Sequence, residues 1–164
     1  TGQLFACEHE GVKPDVLIVG KALGGGYYPV SAVLSSRDLM LLFHPGEHGS
    51  TFGGNPLGSA VAVASLDVIV DENLPSRARY AGAKIMQGLR AVSSPLVKEV
   101  RGRGLLIGIE LTIPARGLSE AMLERGVAAK DTHENVLRIA PPLVIADNEI
   151  DLLLHVFGDA LASL

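Results

Sequence analysis

Residues 15–26 read DVLIVGKALGGG, a run of four apolar residues that is followed by a glycine, Lys21 and a glycine-rich segment. Continuous apolar runs of this length are typical of strands buried on both faces, as in the sheets of layered α/β proteins. The sequence therefore predicts a buried strand over 16–19 and a loop after Lys21. Open α/β sheets place their ligands beyond the carboxyl ends of their strands, which is the position of Lys21.

Glycine and proline clusters divide the rest of the chain into further elements. The predicted fold class is α/β, with an α+β region after a soft boundary near Pro95. We expect strands over 30–34, 97–100, 105–111, 127–129 and 136–139; a short helix capped by Ser35 or Ser36; a long helix from Pro56 to about Asn73, capped by Asn55; and helices over 76–92, 119–125 and 147–164.

The composition indicates a protein with a large apolar interface and excludes several partners. Of the 164 residues, 48% are apolar and 4% aromatic, the mean hydropathy is +0.32 and the net charge is −4. Such an apolar excess predicts exposed apolar surface, so we expect a homodimer or a covalent neighbour. Without a basic stripe, the chain is not expected to bind nucleic acid or anionic membranes. The longest apolar tract, 57–70, is too short to span a bilayer.

Lys21 is the first candidate for chemistry. A lysine at the end of a buried strand is partly desolvated, and desolvation favours the neutral amine that attacks carbonyl groups. Position alone leaves an ordinary surface lysine as the simpler interpretation. A phosphate loop of the GxxxxGK[ST] type is excluded, because Asp15 stands in place of its first glycine and Ala22 in place of its hydroxyl residue.

The segment 48–56 is the second candidate, since it combines Ser50 and Thr51 with several glycines ahead of a helix. Hydroxyls and unhindered backbone amides in such a loop can bind a phosphate, although composition alone favours an ordinary capped turn. His44 and His48 have the spacing of a metal pair, but the glycines and proline between and beside them preclude a regular helix face. We therefore do not expect a metal site.

Arg138 is the third candidate, a single charge inside the apolar strand 136–139. A guanidinium embedded in this way needs an anionic partner. Two interpretations stay open: a structural ion pair with a neighbouring carboxylate, and a clamp on a substrate carboxylate. The segment 101–104, Arg-Gly-Arg-Gly, differs from a dinucleotide fingerprint and is interpreted as a tight turn between strands.

Taken together, these segments resemble the class III (omega) aminotransferases of fold type I, which use pyridoxal 5′-phosphate. The motifs that carry the resemblance, in chain order, are residues 4–9 with Pro14-Asp15, 20–26, 49–56, 101–105 and the strand around Arg138. Within the class, segments 27–33, 45–58 and 130–145 are most similar to the ornithine aminotransferases, and the acetylornithine aminotransferases are the nearest alternative.

The resemblance implies roles for the candidate residues. Lys21 would form the Schiff base with the cofactor and shuttle the proton, Ser50 and Thr51 would bind the cofactor phosphate of the neighbouring subunit, and Arg138 would receive a substrate carboxylate. Amino acid and 2-oxo acid substrates, a homodimer with shared active sites and transfer of the ornithine δ-amino group to 2-oxoglutarate are implied as well. Residues 1–94 would be the C-terminal part of the cofactor-binding large domain, and 95–164 the small C-terminal α+β domain.

The same resemblance places a glycine-rich phosphate loop, a stacking aromatic residue and an aspartate upstream of Thr1. We therefore expect the chain to be a fragment that is inactive alone. A non-catalytic module that retains the fold and the dimer surface is the alternative of another class. A cytoplasmic location is expected, with an organellar matrix as the alternative if a targeting segment precedes Thr1.

Overall fold

The computed structural model describes all 164 residues, and its contacts divide the chain into two compact units. One unit combines 1–5 with 74–164, and the other comprises 6–73. Both contain helices and strands, so the predicted mixed α/β composition is confirmed. No helix combines the length and apolarity needed to cross a bilayer.

The unit that contains 74–164 is a four-stranded antiparallel sheet with three helices packed on one face. The elements are α3 (Leu74–Ala91), β3 (Val97–Arg103), β4 (Leu106–Leu111), α4 (Arg116–Glu124), β5 (Lys130–Thr132), β6 (Val136–Ile139) and α5 (Asp147–Ala162). The strand order in the sheet is β3-β4-β6-β5.

The core of this unit lies between the sheet and the helices. In α3, the buried side chains recur at the three- and four-residue spacing of one helix face. The strands contribute residues at alternate positions, as one face of a sheet requires. Fully buried members from the three helices and the sheet are Ile85, Leu89, Leu118, Met122, Ile150, Phe157, Ile107, Ile109, Leu111 and Leu137.

Two glycines allow helix α3 to approach the turn that joins β3 and β4. A Cβ atom placed on Gly82 would lie 1.9 Å from the carbonyl oxygen of Gly104, so the helix could not carry a side chain there. Gly104 itself has a φ of +54°, and a Cβ on it would lie 2.7 Å from the carbonyl carbon of Thr1. The turn therefore depends on glycine for both conformation and space.

The unit 6–73 has a different character, because it contains no buried apolar side chain. Its elements are two antiparallel strands, two α-helices and two short 3₁₀ helices: β1 (Val16–Val19), β2 (Ala32–Ser35), α1 (Arg37–Met40), α2 (Pro56–Asp71) and the 3₁₀ helices Ala6–Glu10 and Lys21–Gly24. The predicted strand over 16–19 is confirmed, but its predicted burial is wrong. Ile18 is 75% exposed, since no layer of this unit covers β1.

Most predicted elements are confirmed, with bounds that shift by a few residues. The strand predicted over 127–129 is wrong: β5 begins at Lys130, because the amide of Val127 still donates to the Met122 carbonyl and ends helix α4. The turn predicted at 101–104 is narrower, because β3 continues to Arg103. The contacts group α3 with the C-terminal sheet, whereas the domains predicted to meet at residue 94 stay a prediction.

Candidate active site

Lys21 begins a short 3₁₀ helix, Lys21–Gly24, directly after strand β1 and one glycine. Its φ of +50° lies in the left-handed region, which costs a non-glycine residue roughly 1 kcal/mol or more. The side chain is exposed and makes no ion pair within the chain, so the predicted partial desolvation of its amine is wrong. The amine of Lys21 is therefore accessible, on a backbone held in an unusual conformation.

The glycines that follow Lys21 hold the loop against helix α2. A Cβ atom on Gly25, whose φ is +58°, would lie 2.4 Å from Oγ of Ser65 on α2. From the helix side, a Cβ on Gly58 would lie 3.2 Å from Cε1 of Tyr28. Gly25 and Gly58 therefore allow the loop that carries Lys21 to pack closely against α2.

The segment before α2 keeps its hydroxyl groups available. The side chain of Asn55 caps the helix, accepting a hydrogen bond of 2.7 Å from the Gly58 amide and donating one of 2.9 Å to the Phe52 carbonyl. The predicted cap is confirmed. Ser50 and Thr51 are exposed, and no hydrogen bond engages either hydroxyl. The hydroxyls, rather than the capped helix amides, are thus the groups free to meet an anion.

Ser50 lies on a cleft of about 720 Å³ in the unit 6–73. Val19 and Leu23, two residues before and two after Lys21, line the same cleft, but Lys21 does not. Thr51 follows Ser50 in the sequence but does not line the cleft. The structure therefore brings Ser50 to the loop that carries Lys21 without directing the Lys21 side chain into that cleft.

Arg138 lies in the other unit, on the face of the four-stranded sheet opposite the helices. Its neighbours in the chain, Leu137 and Ile139, point into the core, whereas Arg138 is exposed. The prediction of an embedded charge is therefore wrong. The register places Arg138 directly opposite Gly108 on β4 and Lys130 on β5.

Gly108 is in turn opposite Arg101 on β3, so a row of residues runs across the sheet. Directly opposed residues project to the same face. The row therefore places three cations, Arg101, Arg138 and Lys130, on one face with a glycine between the first two. We refer to Arg101, Gly108, Arg138 and Lys130 as the cross-strand row.

The other two cations of the row have carboxylate partners. Nη1 of Arg101 donates to Glu110 at 2.8 Å and to Glu99 at 2.6 Å. Nζ of Lys130 contacts the Asp131 carboxylate at 3.2 Å, and this hydrogen bond lowers the pKa of Asp131. Arg138 makes no ion pair with a carboxylate of the chain. Of the two interpretations of Arg138, the structural ion pair is absent.

Arg138 also lines an open cleft of about 480 Å³ on this face. Sequence reasoning missed the participation of strand β3 in this cleft, because the Arg-Gly-Arg-Gly segment was interpreted only as a turn. The cleft is lined by Thr1, Arg101, Gly102, Arg103, Leu106, Ile107, Gly108, Thr132, Val136 and Arg138.

The family model of the class III aminotransferases matches residues 1–161. The chain belongs to the class III aminotransferases. The recognition made from the motifs is therefore confirmed, and this family uses pyridoxal 5′-phosphate.

Curated relatives are identical to this chain at about half of the aligned positions. It is 54% identical to an ornithine aminotransferase of Exiguobacterium sp. over 151 residues, which are 92% of this chain and 38% of the relative. It is 52% identical to ornithine aminotransferase 2 of Staphylococcus aureus over 161 residues, 96% of this chain and 41% of the relative. The chain thus spans about two fifths of the length of these relatives.

Solved aminotransferase structures share the fold of the class III chain. The acetylornithine aminotransferase of Elizabethkingia anophelis superposes with a TM-score of 0.94 at 44% identity, covering 100% of this chain and 45% of that one. An ornithine aminotransferase of Toxoplasma gondii gives a TM-score of 0.94 at 41% identity, covering 99% and 40%. The predicted fold-type I class is therefore confirmed.

Proposed function

We propose that this chain is part of a pyridoxal-phosphate-dependent enzyme that transfers the δ-amino group of ornithine to 2-oxoglutarate, giving glutamate semialdehyde and glutamate. The observation that carries the proposal is the exposed, unpaired amine of Lys21 on a strained loop that glycines hold against α2. The similarity to ornithine aminotransferases supports ornithine as donor. Acetylornithine is the alternative donor, supported by the similar acetylornithine aminotransferase structure.

The groups of the 6–73 unit fit such a cofactor. A phosphate needs several donors at accessible positions. Ser50 and Thr51 offer two adjacent hydroxyls, and a Cβ atom on Gly49 or Gly54 would meet nothing within 4 Å, so the backbone beside them is open. Ser50 and Thr51 are therefore assigned to the cofactor phosphate.

Lys21 is assigned to the aldehyde carbon of the cofactor. The cofactor, when bound, supplies an electron sink for the carbon that gives up its proton. The Lys21 amine then serves as the base and acid that moves this proton, a role that requires an unpaired amine at a fixed position. The glycine packing on α2 positions the backbone of the loop that carries Lys21, and the absence of an ion pair leaves the amine available.

The position of Lys21 relative to the 720 Å³ cleft supports the sharing of sites between two copies. Ser50 lines this cleft and Lys21 does not. Such an arrangement is expected if Ser50 and Thr51 serve a cofactor attached to the lysine of another copy. A homodimer is therefore part of the proposal.

Arg138 is assigned to a substrate carboxylate, most directly that of glutamate and 2-oxoglutarate. A planar guanidinium binds a carboxylate through two parallel hydrogen bonds. Since Arg101 and Lys130 are already paired with acidic side chains, Arg138 is the cation of the cross-strand row that is available for this contact.

The Lys21 assignment is tested by reductive labelling. The chain is incubated with pyridoxal 5′-phosphate, reduced with borohydride and digested, and the labelled peptides are mapped. We expect the label on Lys21, its loss in Lys21→Arg and its retention in Lys13→Arg, a matched change at another exposed lysine of the same unit. Labelling spread evenly over the exposed lysines would contradict the assignment.

A further inference from the structure

Glu110 has two arginines within reach on the open face of the four-stranded sheet. Gly108, which precedes it by two residues on the same face of β4, is directly opposite Arg101 on β3 and Arg138 on β6. Both arginines are therefore diagonal neighbours of Glu110, at a spacing of about 7–8 Å that long side chains can span. The register alone would let the Glu110 carboxylate pair with either of them.

The structure pairs Glu110 with the β3 side only. Its Oε2 atom accepts a hydrogen bond of 2.8 Å from Nη1 of Arg101, and its Oε1 atom accepts one from Nζ of Lys98. Both carboxylate oxygens are thus engaged by cations of β3, and Arg138 makes no ion pair with Glu110. Arg138, which lines the 480 Å³ cleft, is left without this carboxylate.

A β-bulge brings Lys98 to this face. The pairing of β3 with β4 shifts between Val97 and Glu99, so that Lys98 and Glu99 together face Glu110. Strict alternation with Glu99 would turn Lys98 toward the face that the helices cover. An extra residue in a strand re-aims a side chain, and Nζ of Lys98 reaches Glu110 here. The bulge therefore adds a second cation to the group that holds the Glu110 carboxylate.

A free Glu110 would compete for Arg138. A carboxylate on the adjacent strand is held beside the guanidinium at a high effective concentration, whereas a dissolved acid must bind from solution. We propose that Lys98 and Arg101 are positioning residues that keep the Glu110 carboxylate on the β3 side of the sheet. Arg138 is thereby left open to a substrate carboxylate. The inference rests on the proposed role of Arg138 and gives the paired cations of β3 a part in the same site.

The experiment measures binding of 2-oxoglutarate to the 164-residue chain by NMR titration. The double variant, Lys98→Ala with Arg101→Ala, releases Glu110. Because Glu110 can then pair with Arg138, we expect the affinity to fall about three- to fivefold. Adding Glu110→Gln to the double variant removes the competitor and should restore most of the lost affinity, which a purely structural role of the two cations would not produce. Arg101→Gln alone should give a smaller loss in the same direction, which keeps the test valid if the double variant folds poorly.

The matched control adds Glu99→Gln to the double variant. It removes the same charge from the same face, but Glu99 lies on β3, one strand further from Arg138, so the affinity should recover little. Equal recovery with Glu99→Gln, or no loss in the double variant while Arg138→Ala still abolishes binding, would overturn the inference alone. Binding that is absent in the unchanged chain, or that does not depend on Arg138, would overturn the role of Arg138 and this inference together.

Discussion

Glu110 organises the charges beside the cross-strand row. Its carboxylate accepts hydrogen bonds from Lys98 and Arg101, and these contacts, that of Lys98 foremost, hold the pKa of Glu110 below its ordinary value of 4.5. An acid whose pKa is lowered by folding stabilises the folded state above its unfolded pKa. This contribution is lost as the pH falls through the folded-state pKa.

We therefore expect Glu110→Gln to lower the melting temperature at neutral pH. The difference from the unchanged chain should shrink as the pH falls below the ordinary value of 4.5 and vanish once Glu110 is protonated in both states. Thermal melting followed by circular dichroism across this range measures the effect. Glu120→Gln, which removes only the exposed pair with Arg116, is the control and should show a weaker effect. A difference for Glu110→Gln that did not vary with pH would contradict the ionic explanation.

The sequence was enough to select the candidate site residues, but it was a poorer guide to the environment of each one. Residue type and sequence neighbours were enough to select the four candidates, Lys21, Ser50, Thr51 and Arg138. The same reasoning predicted an embedded Arg138, because the residues before and after it in the strand are apolar. Strand alternation sends Arg138 to the face that no helix covers. Which face of a sheet is covered depends on contacts between distant segments, and a local pattern does not contain that information.

The hairpin that joins β5 and β6 contains two residues in a strained backbone conformation. His133 and Glu134 both have positive φ values, 48° and 61°, which glycine or asparagine would adopt at lower cost. The loop is held by two bonds of 2.8 Å, from the amides of Ala115 and Leu111 to the carbonyls of Glu134 and Asn135. Backbone contacts thus impose a conformation that the side chains disfavour.

Replacing Glu134 by glycine is expected to relieve this strain and raise the free energy of unfolding by about 0.5–1 kcal/mol. The carbonyl that accepts from Ala115 is retained, so the anchoring bond stays in place. Chemical denaturation measures the change. Glu120→Gly, at an exposed position inside helix α4, is the matched control and should destabilise by about 1 kcal/mol. Equal destabilisation by both changes would show that the loop is not strained.

Elements were predictable where local chemistry marks their ends. Asn55 with Pro56 and the hydroxyl of Ser36 begin helices α2 and α1 as expected, because caps act through bonds within one turn. Strand β5 was misplaced because Val127 and Ala129 are apolar residues that pack against the core outside any strand. Apolar alternation alone does not distinguish a strand from an irregular segment that packs against the core.

At the scale of the whole molecule, the two units differ in what holds them together. The unit that contains 74–164 has a continuous apolar core, whereas 6–73 has none and exposes large apolar side chains such as Ile18 and Phe52. The apolar excess in the composition correctly indicated exposed apolar surface. The concentration of this exposed apolar surface in 6–73 was not predictable, because composition does not show where distant segments pack together.

This difference predicts unequal stability along the chain. Ordering a segment costs conformational entropy, and buried apolar surface is the main term that offsets it. In the 164-residue chain, we expect slow amide hydrogen exchange in α3, β4 and α5 and fast exchange through most of 6–73, including α2 despite its regular hydrogen bonds. Exchange followed by mass spectrometry at peptide resolution measures this. Protection of α2 equal to that of α3 would mean that apolar burial does not set the stability of 6–73.

Within the unit that contains 74–164, Leu89→Ala should create a cavity that costs roughly 2–5 kcal/mol of unfolding free energy. The change should accelerate exchange in α3 and leave exchange in α2 unchanged.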